Sequence, residues 1–342
     1  MNDDSLLSGI ERSLQTLSIH RLRTLVEGMI STLSTKRRKL NGAESEFLLN
    51  ELFQIRESKT IDRAHYYLRR LQKAFTEERT SKVNDLNLNR WKEYSQILTD
   101  SLWLLDKRDR SAGHKAWYWG NFVPQIPNQL IQRYTKRGEW VLDPFAGSGT
   151  TLIESRRLGR NCIGIELQPS IVNKSNSLLR TAKHLSSNLT CVVLTGDSSS
   201  DHFSKVIGAI PTRAYQLALL HPPYHDIIRF SKRKEDLSNA ASTKDFLAQF
   251  GRVVDNVLSV LDKNRYFAVV IGDKYSAGEW IPLGFLTMQE TLKRSCKLKS
   301  IIVKNFDQTT AKRTQKELWR YRALAGGFYV FKHEYIFVFQ KQ

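Results

Sequence analysis

The chain has 342 residues, enough for one large domain and a smaller one, and its 41% hydrophobic content is that of a globular protein. A formal charge of +19 points to a polyanionic partner, above all nucleic acid. Three cysteines without metal-like or disulfide spacing, no apolar run long enough to span a bilayer, and an acidic start unlike a signal predict a metal-free cytosolic protein.

Residues 1–112 read as a helical N-terminal domain. Leu17, Ile19, Leu22, Leu25 and Val26 recur at helical spacing, as do Phe47, Leu48, Leu52 and Ile55. Asp62 is placed to cap a helix through Tyr66, Leu68, Leu71 and Phe75. The polar runs 35–41 and 77–85 read as loops. Trp91, Leu98, Leu102, Trp103 and Leu105 suggest a last helix before a charged hinge at 106–113. From about residue 114 the pattern changes, and short β-rich runs alternate with helical stretches. The runs are 140–143, 161–166, 191–196, 217–221, 266–272, 299–304 and 335–339, with crossover helices at 170–179 and 246–261. Such alternation predicts an α/β domain over 113–342, a mostly parallel Rossmann-like sheet with helices on both faces. The last two runs have no clear helix between them and read as an antiparallel pair at the sheet edge.

Between the first run and the helical positions Leu152, Ile153 and Leu158 lies Asp143-Pro144-Phe145-Ala146-Gly147-Ser148-Gly149-Thr150-Thr151. A strand, a glycine turn and a helix start form the usual ligand site of an open α/β sheet. No Lys follows Gly149, so the turn is not a P-loop, and the third glycine of the dinucleotide fingerprint is missing. Such a turn suits a nucleoside whose other end is an amino acid, as in S-adenosylmethionine. Glu166, at the tip of the second run, is placed to take both ribose hydroxyls. Asp197, after the third run, either accepts the adenine amino group or is an ordinary turn residue.

The fourth run ends in His221-Pro222-Pro223-Tyr224. Two prolines after a buried strand fix a rigid turn whose carbonyls lack neighbouring donors. With an aromatic beside it, this turn suits a flat base bearing an exocyclic amine. Acceptors at His221 and the Pro222 carbonyl would take the amine hydrogens and localise its lone pair, and stacking on Tyr224 is worth about 1–3 kcal/mol.

The glycine turn resembles the cofactor motif of DNA amino-methyltransferases, and His221 to Tyr224 resembles their catalytic Asp/Ser/Asn-Pro-Pro-Tyr motif. The run 119–125, with Phe122 and Pro124, is similar to the segment that in this family packs by the methionine end of the cofactor. The closing run 333–339 resembles the family's last strand. The resemblance covers about residues 114–342. It implies a seven-stranded class I methyltransferase sheet and S-adenosylmethionine as cofactor. It further implies transfer to N6 of adenine or N4 of cytosine in double-stranded DNA, in a restriction-modification or phage-defence setting in a prokaryotic cytosol. A separate specificity or restriction subunit is an open partner.

Two departures stand out. His221 replaces the family's Asp, Ser or Asn, and a protonated imidazole accepts no hydrogen bond. Activity is therefore expected to fall between pH 8 and 5.5. The cofactor motif also precedes the catalytic one, an order found in only some groups of the family. Arg229, Lys232 and Arg233, after the catalytic turn, are candidates for clamping DNA phosphates. Lys312, Arg313, Lys316 and Arg320, interleaved with Trp319 and Tyr321, suit backbone or groove contact. The alternatives are an RNA methyltransferase of the tRNA guanine-N2 type and a non-catalytic nucleic-acid-binding subunit.

Overall fold

The computed structural model describes residues 3–36, 42–105, 107–110, 114, 117–118, 120–121, 123–181, 188–208, 210, 212, 214–305 and 316–342. They form two compact units, Met1–Ile97 and Leu98–Gln342.

The first unit is built on four helices, α1 (Asp3–Leu14), α2 (Ile19–Lys36), α3 (Gly42–Arg56) and α4 (Ile61–Thr76). Their apolar stripes meet in a core containing Leu6, Ile10, Leu22, Val26, Leu52, Ile55 and Leu68. The cap of α4 is Thr60, whose hydroxyl accepts from the Arg63 amide at 3.3 Å; Asp62 sits in the first turn, where its charge favours the helix dipole. The helix expected over 91–105 is absent. A 3₁₀ turn covers Leu88–Glu93, and Leu102–Trp103 form a short strand, β1. Leu102 and Trp103 pair with Val303 and Lys304, so this segment joins the second unit, and the division falls at 97/98 rather than 112/113.

The second unit continues through α5 (Gln125–Tyr134), β2 (Trp140–Asp143), α6 (Thr150–Arg157), β3 (Asn161–Glu166), α7 (Pro169–Thr181), β4 (Cys191–Thr195), α8 (Phe203–Ile207) and β5 (Tyr215–Leu220). It then runs through α9 (Thr243–Val260), β6 (Leu261–Ile271), the hairpin β7 (Lys274–Ser276) and β8 (Glu279–Ile281), α10 (Leu283–Leu292), β9 (Cys296–Asn305), α11 (Lys316–Gly326) and β10 (His333–Lys341). The main sheet has the order β1-β9-β10-β6-β5-β2-β3-β4. β10 alone runs antiparallel, between β6 and β9. The expected seven strands are thus present with β1 added at the edge, and the antiparallel pair lies one strand further in than expected.

Alternation along the strands separates two cores. Leu142, Ile163, Ala218, Phe267 and Val269 face α9, which buries Phe246, Phe250, Val253, Val254 and Val257. Val141, Cys162, Leu217, Ala268 and Val270 face the other way, toward Ile126, Leu130 and Leu152. Each such Leu, Ile or Phe contributes about 1.5–3 kcal/mol by leaving water. Ser242 fixes the start of α9, its hydroxyl accepting from the Asp245 amide at 3.1 Å. The carboxyl ends of β2, β3, β4, β5 and β6 share one edge. The strand order reverses at β2, which pairs with β3 on one side and β5 on the other. That reversal is where open α/β sheets bind ligands.

Candidate active site

The glycine turn leaves β2 at Asp143, which is fully buried. Its Oδ1 accepts from the Phe145 amide at 2.9 Å, and burial pushes its carboxyl up to about 6. Oδ1 of Asp143 thus shapes the turn, while its buried Oδ2 has no hydrogen-bond partner among the described residues. Gly147 has φ +47°; its amide donates to Glu166 Oε2 at 3.2 Å and its carbonyl accepts from the Ser175 hydroxyl at 2.8 Å. Glu166 Oε1 accepts from the Gln168 amide at 2.9 Å. The acid at the tip of β3 is thus aimed across the turn by backbone donors, and burial raises its pKa. Ser148 donates to Asn121 Oδ1 at 2.6 Å, while the buried Asn121 Nδ2 has no protein partner.

A second layer covers the turn. The Tyr118 ring packs on Gly147 so closely that a Cβ there would stand 2.9 Å from its Cε1. Tyr118 stacks on Phe230 with centroids 5.7 Å apart. The Phe230 carbonyl accepts from Gln168 Nε2 at 3.1 Å, and Arg233 Nη1 donates to the Leu167 carbonyl at 3.2 Å. The basic run after the catalytic turn is therefore anchored beside Glu166. Arg233 is tied to the protein there, while Arg229 and Lys232 are exposed. Asp197 Oδ1 accepts from the Ser199 amide and hydroxyl, both at 2.8 Å, the pattern of a turn Asp. A cavity of about 360 Å³ opens beside it, lined also by Lys234, Gln249 and Arg252. Pro124 precedes α5, and its carbonyl accepts from the Asn128 amide at 3.1 Å. Phe122, Lys312, Arg313 and the side chain of Lys316 lie outside the described residues; Arg320 is exposed on α11.

The catalytic turn leaves β5 one strand away. Tyr224 Oη donates to Glu334 Oε2 at 2.6 Å and lies 3.4 Å from His221 Nε2. Glu334 Oε1 pairs with Lys304 Nζ at 3.2 Å, and both side chains are buried. These two residues stand directly opposite each other on β10 and β9. Gly272, after β6, leaves room for the tyrosine ring, since a Cβ there would meet Tyr224 Cε2 at 2.9 Å. His225 follows in the left-handed region at φ +52°. Its Nε2 lies 2.9 Å from the Ala240 carbonyl and its Nδ1 3.2 Å from Lys274 Nζ, which fixes the ring between the two. Lys274 also pairs with Asp226. Asp273 accepts from the Gly284 amide at 3.0 Å, Trp280 Nε1 at 3.2 Å and Tyr335 Oη at 3.3 Å. The turn is thus held from three sides.

Sequence reading placed Asn121 only within the run 119–125 and missed Tyr118, Lys304 and Glu334 as site residues. The signal for the last two is a charge inside each of two apolar strands; Tyr118 and Phe230 are too far apart in sequence to signal each other.

Burial lowers the His221 pKa to about 4, with Glu334 opposing the shift and Lys304 adding to it. The expectation of lost activity by pH 5.5 is therefore revised. As far as His221 governs it, methyl transfer should be flat from pH 8 to 5.5 and fall only toward pH 4, so that a loss near pH 6 in a pH–rate profile reports Asp143 in the glycine turn instead. Stability follows the same group. The unfolded imidazole takes its proton as pH falls through about 6.5, the folded one only near about 4. Stability is full above that window and is lost as pH falls through it, a slope that His221→Asn should remove from denaturation curves.

The strand order, the glycine turn after β2, the acid at β3 and the Pro-Pro-Tyr turn after β5 are arranged as expected for a class I methyltransferase fold. A family model described as DNA methylase matches residues 39–177, and one described as an RMKL-like methyltransferase domain matches 132–248. The chain is 33% identical over 91 residues to the Type II methyltransferase M.MjaII of Methanocaldococcus jannaschii, covering 27% of this chain and 17% of that protein. It is 32% identical over 99 residues to the Type II methyltransferase M.BglI of Bacillus subtilis, covering 29% of this chain and 27% of that protein. The chain spans under a third of the length of these two relatives. Among solved structures, TrmN from Thermus thermophilus is 15% identical over 65% of this chain and 49% of its own, with a TM-score of 0.42. Over its glycine turn and the strands around it, the chain is similar to DNA methyltransferases.

Proposed function

We propose that the protein transfers a methyl group from S-adenosylmethionine to the exocyclic amine of adenine or cytosine in double-stranded DNA. The observation that carries this is the adjacency of the two turns. The glycine turn and the Pro-Pro-Tyr turn leave neighbouring parallel strands at the same edge. The residues present fit the cofactor. Glu166 offers a carboxylate at the ribose position, and Asn121 Nδ2 is a buried donor without a protein partner beside Ser148, suited to the amino-acid carboxylate. Asp197 would border the adenine end, with Phe145 to Thr151 and Pro124 around the remainder. The bound cofactor supplies an electrophilic methyl on a sulfonium.

The chain's own residues then receive the base, which must leave the duplex stack to bring its amine to a buried site. His221 and the Pro222 carbonyl accept the amine hydrogens, so the nitrogen lone pair is localised and aimed. Tyr224, held by Glu334 and Gly272, offers the stacking face. Charge supplies the rest of the affinity. Residues 98–342 carry 36 Lys and Arg against 21 Asp and Glu. Arg229, Lys232 and Arg320 are exposed cations suited to phosphates. If these three and other cations of residues 98–342 together neutralise about six phosphates, duplex affinity should drop about 10³-fold between 50 and 200 mM salt, measurable by anisotropy titration. A flat salt response removes the nucleic-acid reading. Sequence recognition by α11 or by a partner subunit, within restriction-modification in a prokaryotic cytosol, belongs to this proposal. Among the described residues no helix is long and apolar enough to cross a membrane.

One observation favours RNA. The DNA methylase match ends at 177, before His221, whereas the RMKL-like match at 132–248 contains both turns in their order here. The deciding experiment is incubation with labelled S-adenosylmethionine and, in parallel, duplex DNA or RNA, then digestion to nucleosides. N6-methyladenine or N4-methylcytosine supports the proposal; label appearing only in RNA overturns it.

A further inference from the structure

We propose that the exposed face of α4, in the helical unit, is a DNA contact of its own, seating the phosphate backbone on Arg63, Arg69 and Lys73 around the Tyr66 ring. The surface lies outside both turns; that its occupant is DNA rests on the methyl-transfer reading.

Residues 1–97 hold 17 Lys and Arg against 13 Asp and Glu. The segment 56–73 alone holds six cations, Arg56, Lys59, Arg63, Arg69, Arg70 and Lys73, against Glu57 and Asp62. It therefore carries the whole surplus of the unit, and the remainder is balanced. A charge concentrated in this way is complementary to a polyanion. Spacings of three and four along α4 put Arg63, Tyr66, Arg69, Arg70 and Lys73 on one face, opposite the buried Ala64, Leu68 and Leu71. Arg70 is neutralised by Glu51 at 2.5 Å, and Arg56 lies 3.6 Å from Glu57. Lys59, Arg69 and Lys73 are exposed and pair with no carboxylate among the described residues. Arg63 is already positioned. Its Nε donates to the Tyr67 hydroxyl at 3.0 Å, and its guanidinium carbon stands 4.9 Å from the Tyr67 ring centre and 5.6 Å from that of Tyr66. A guanidinium held over aromatic rings loses little freedom when its fork takes a phosphate. Tyr66 is 56% exposed, edge-on to Tyr67 with centroids 5.4 Å apart. A tyrosine hydroxyl donates to phosphate oxygens as Arg and Lys do, which gives a use to a ring left in water among three cations. Beside Arg63 a cavity of about 630 Å³ opens where α3 meets α4, lined also by Phe53, Gln54, Lys59 and Thr60. The backbone is thus offered a recess and not a flat surface.

The test is duplex DNA binding by the full chain, read by fluorescence anisotropy over a range of salt, with Arg63→Gln, Arg69→Gln and Lys73→Gln combined. Glutamine keeps the helix propensity of the residues it replaces, so α4 stays folded, which far-UV circular dichroism checks. If each cation meets one phosphate, the log–log salt slope should become shallower by about three, and affinity should fall on the order of a hundredfold at about 100 mM salt. The loss should be the same on unrelated duplex sequences, because phosphates carry no sequence information. A control removes equal charge elsewhere in the unit, as Arg12→Gln, Arg21→Gln and Arg79→Gln, and should bind nearly as the wild type does. S-adenosylmethionine affinity should be unchanged in both. A triple α4 variant that binds as the wild type does, or a control that loses as much, overturns the proposal and leaves the methyl-transfer reading standing. Wild-type protein that binds no duplex DNA overturns the proposal together with the DNA reading.

Discussion

Gly147→Val is expected to abolish cofactor binding while the sheet stays folded. Gly147 sits at φ +47°, where an L-residue costs about 1–2 kcal/mol, more when β-branched. Its Cβ would also stand 2.9 Å from Tyr118 Cε1, closer than van der Waals contact allows. Tyr118 is stacked on Phe230 and cannot move alone. Relief must come from the turn, and that withdraws the Gly147 amide that aims Glu166. Strain and misplacement together of about 3 kcal/mol correspond to about a hundredfold loss of affinity. Calorimetric titration with S-adenosylmethionine, beside far-UV circular dichroism, checks it. Wild-type affinity in the valine variant would remove the turn from the cofactor site.

The second large effect concerns stability. Glu334→Ala takes away the buried carboxylate that pairs with the Lys304 ammonium, whose side chain is 6% exposed, and removes the acceptor of the Tyr224 hydroxyl. Breaking one side of a buried pair costs about 3–5 kcal/mol, far more than the pair itself is worth. The triple change Glu334→Leu, Lys304→Met and Tyr224→Phe removes the pair together with the hydroxyl that it holds, and it should recover most of the loss. Denaturant midpoints of the two variants test this. If the triple variant is no more stable than Glu334→Ala, the cost lies in packing and not in the broken ion pair.

The parts of the fold that could be read from sequence are those whose cause is local. Trp140–Asp143 and Asn161–Glu166 appear as expected because short apolar runs between turn residues have few other uses. The glycine turn was legible because its chemistry demands residue types in a row. β1 was not: Trp91, Leu98 and Leu102 fit a helical period, and only pairing with Val303, some two hundred residues away, makes Leu102 a strand residue. The β7–β8 hairpin also escaped, since Ala277 and Gly278 take positive φ without the Asn-Gly or Asp-Gly signature. Within the site, His221 was recognised as unusual, but the buried Glu334–Lys304 pair beside Tyr224 lies on β10 and β9 and was not foreseen. A charge in a strand reads as an edge or a surface until its partner is seen.

The position of β10 has a consequence for synthesis. This strand emerges from the ribosome after all the others, yet it lies between β6 and β9. Until residues 333–341 are made, β6 presents an unpaired edge that invites pairing with other chains. The same nine residues bring Glu334. A nascent chain can therefore complete its glycine turn early, but Tyr224 lacks its Glu334 anchor until residues 333–341 take their place in the sheet.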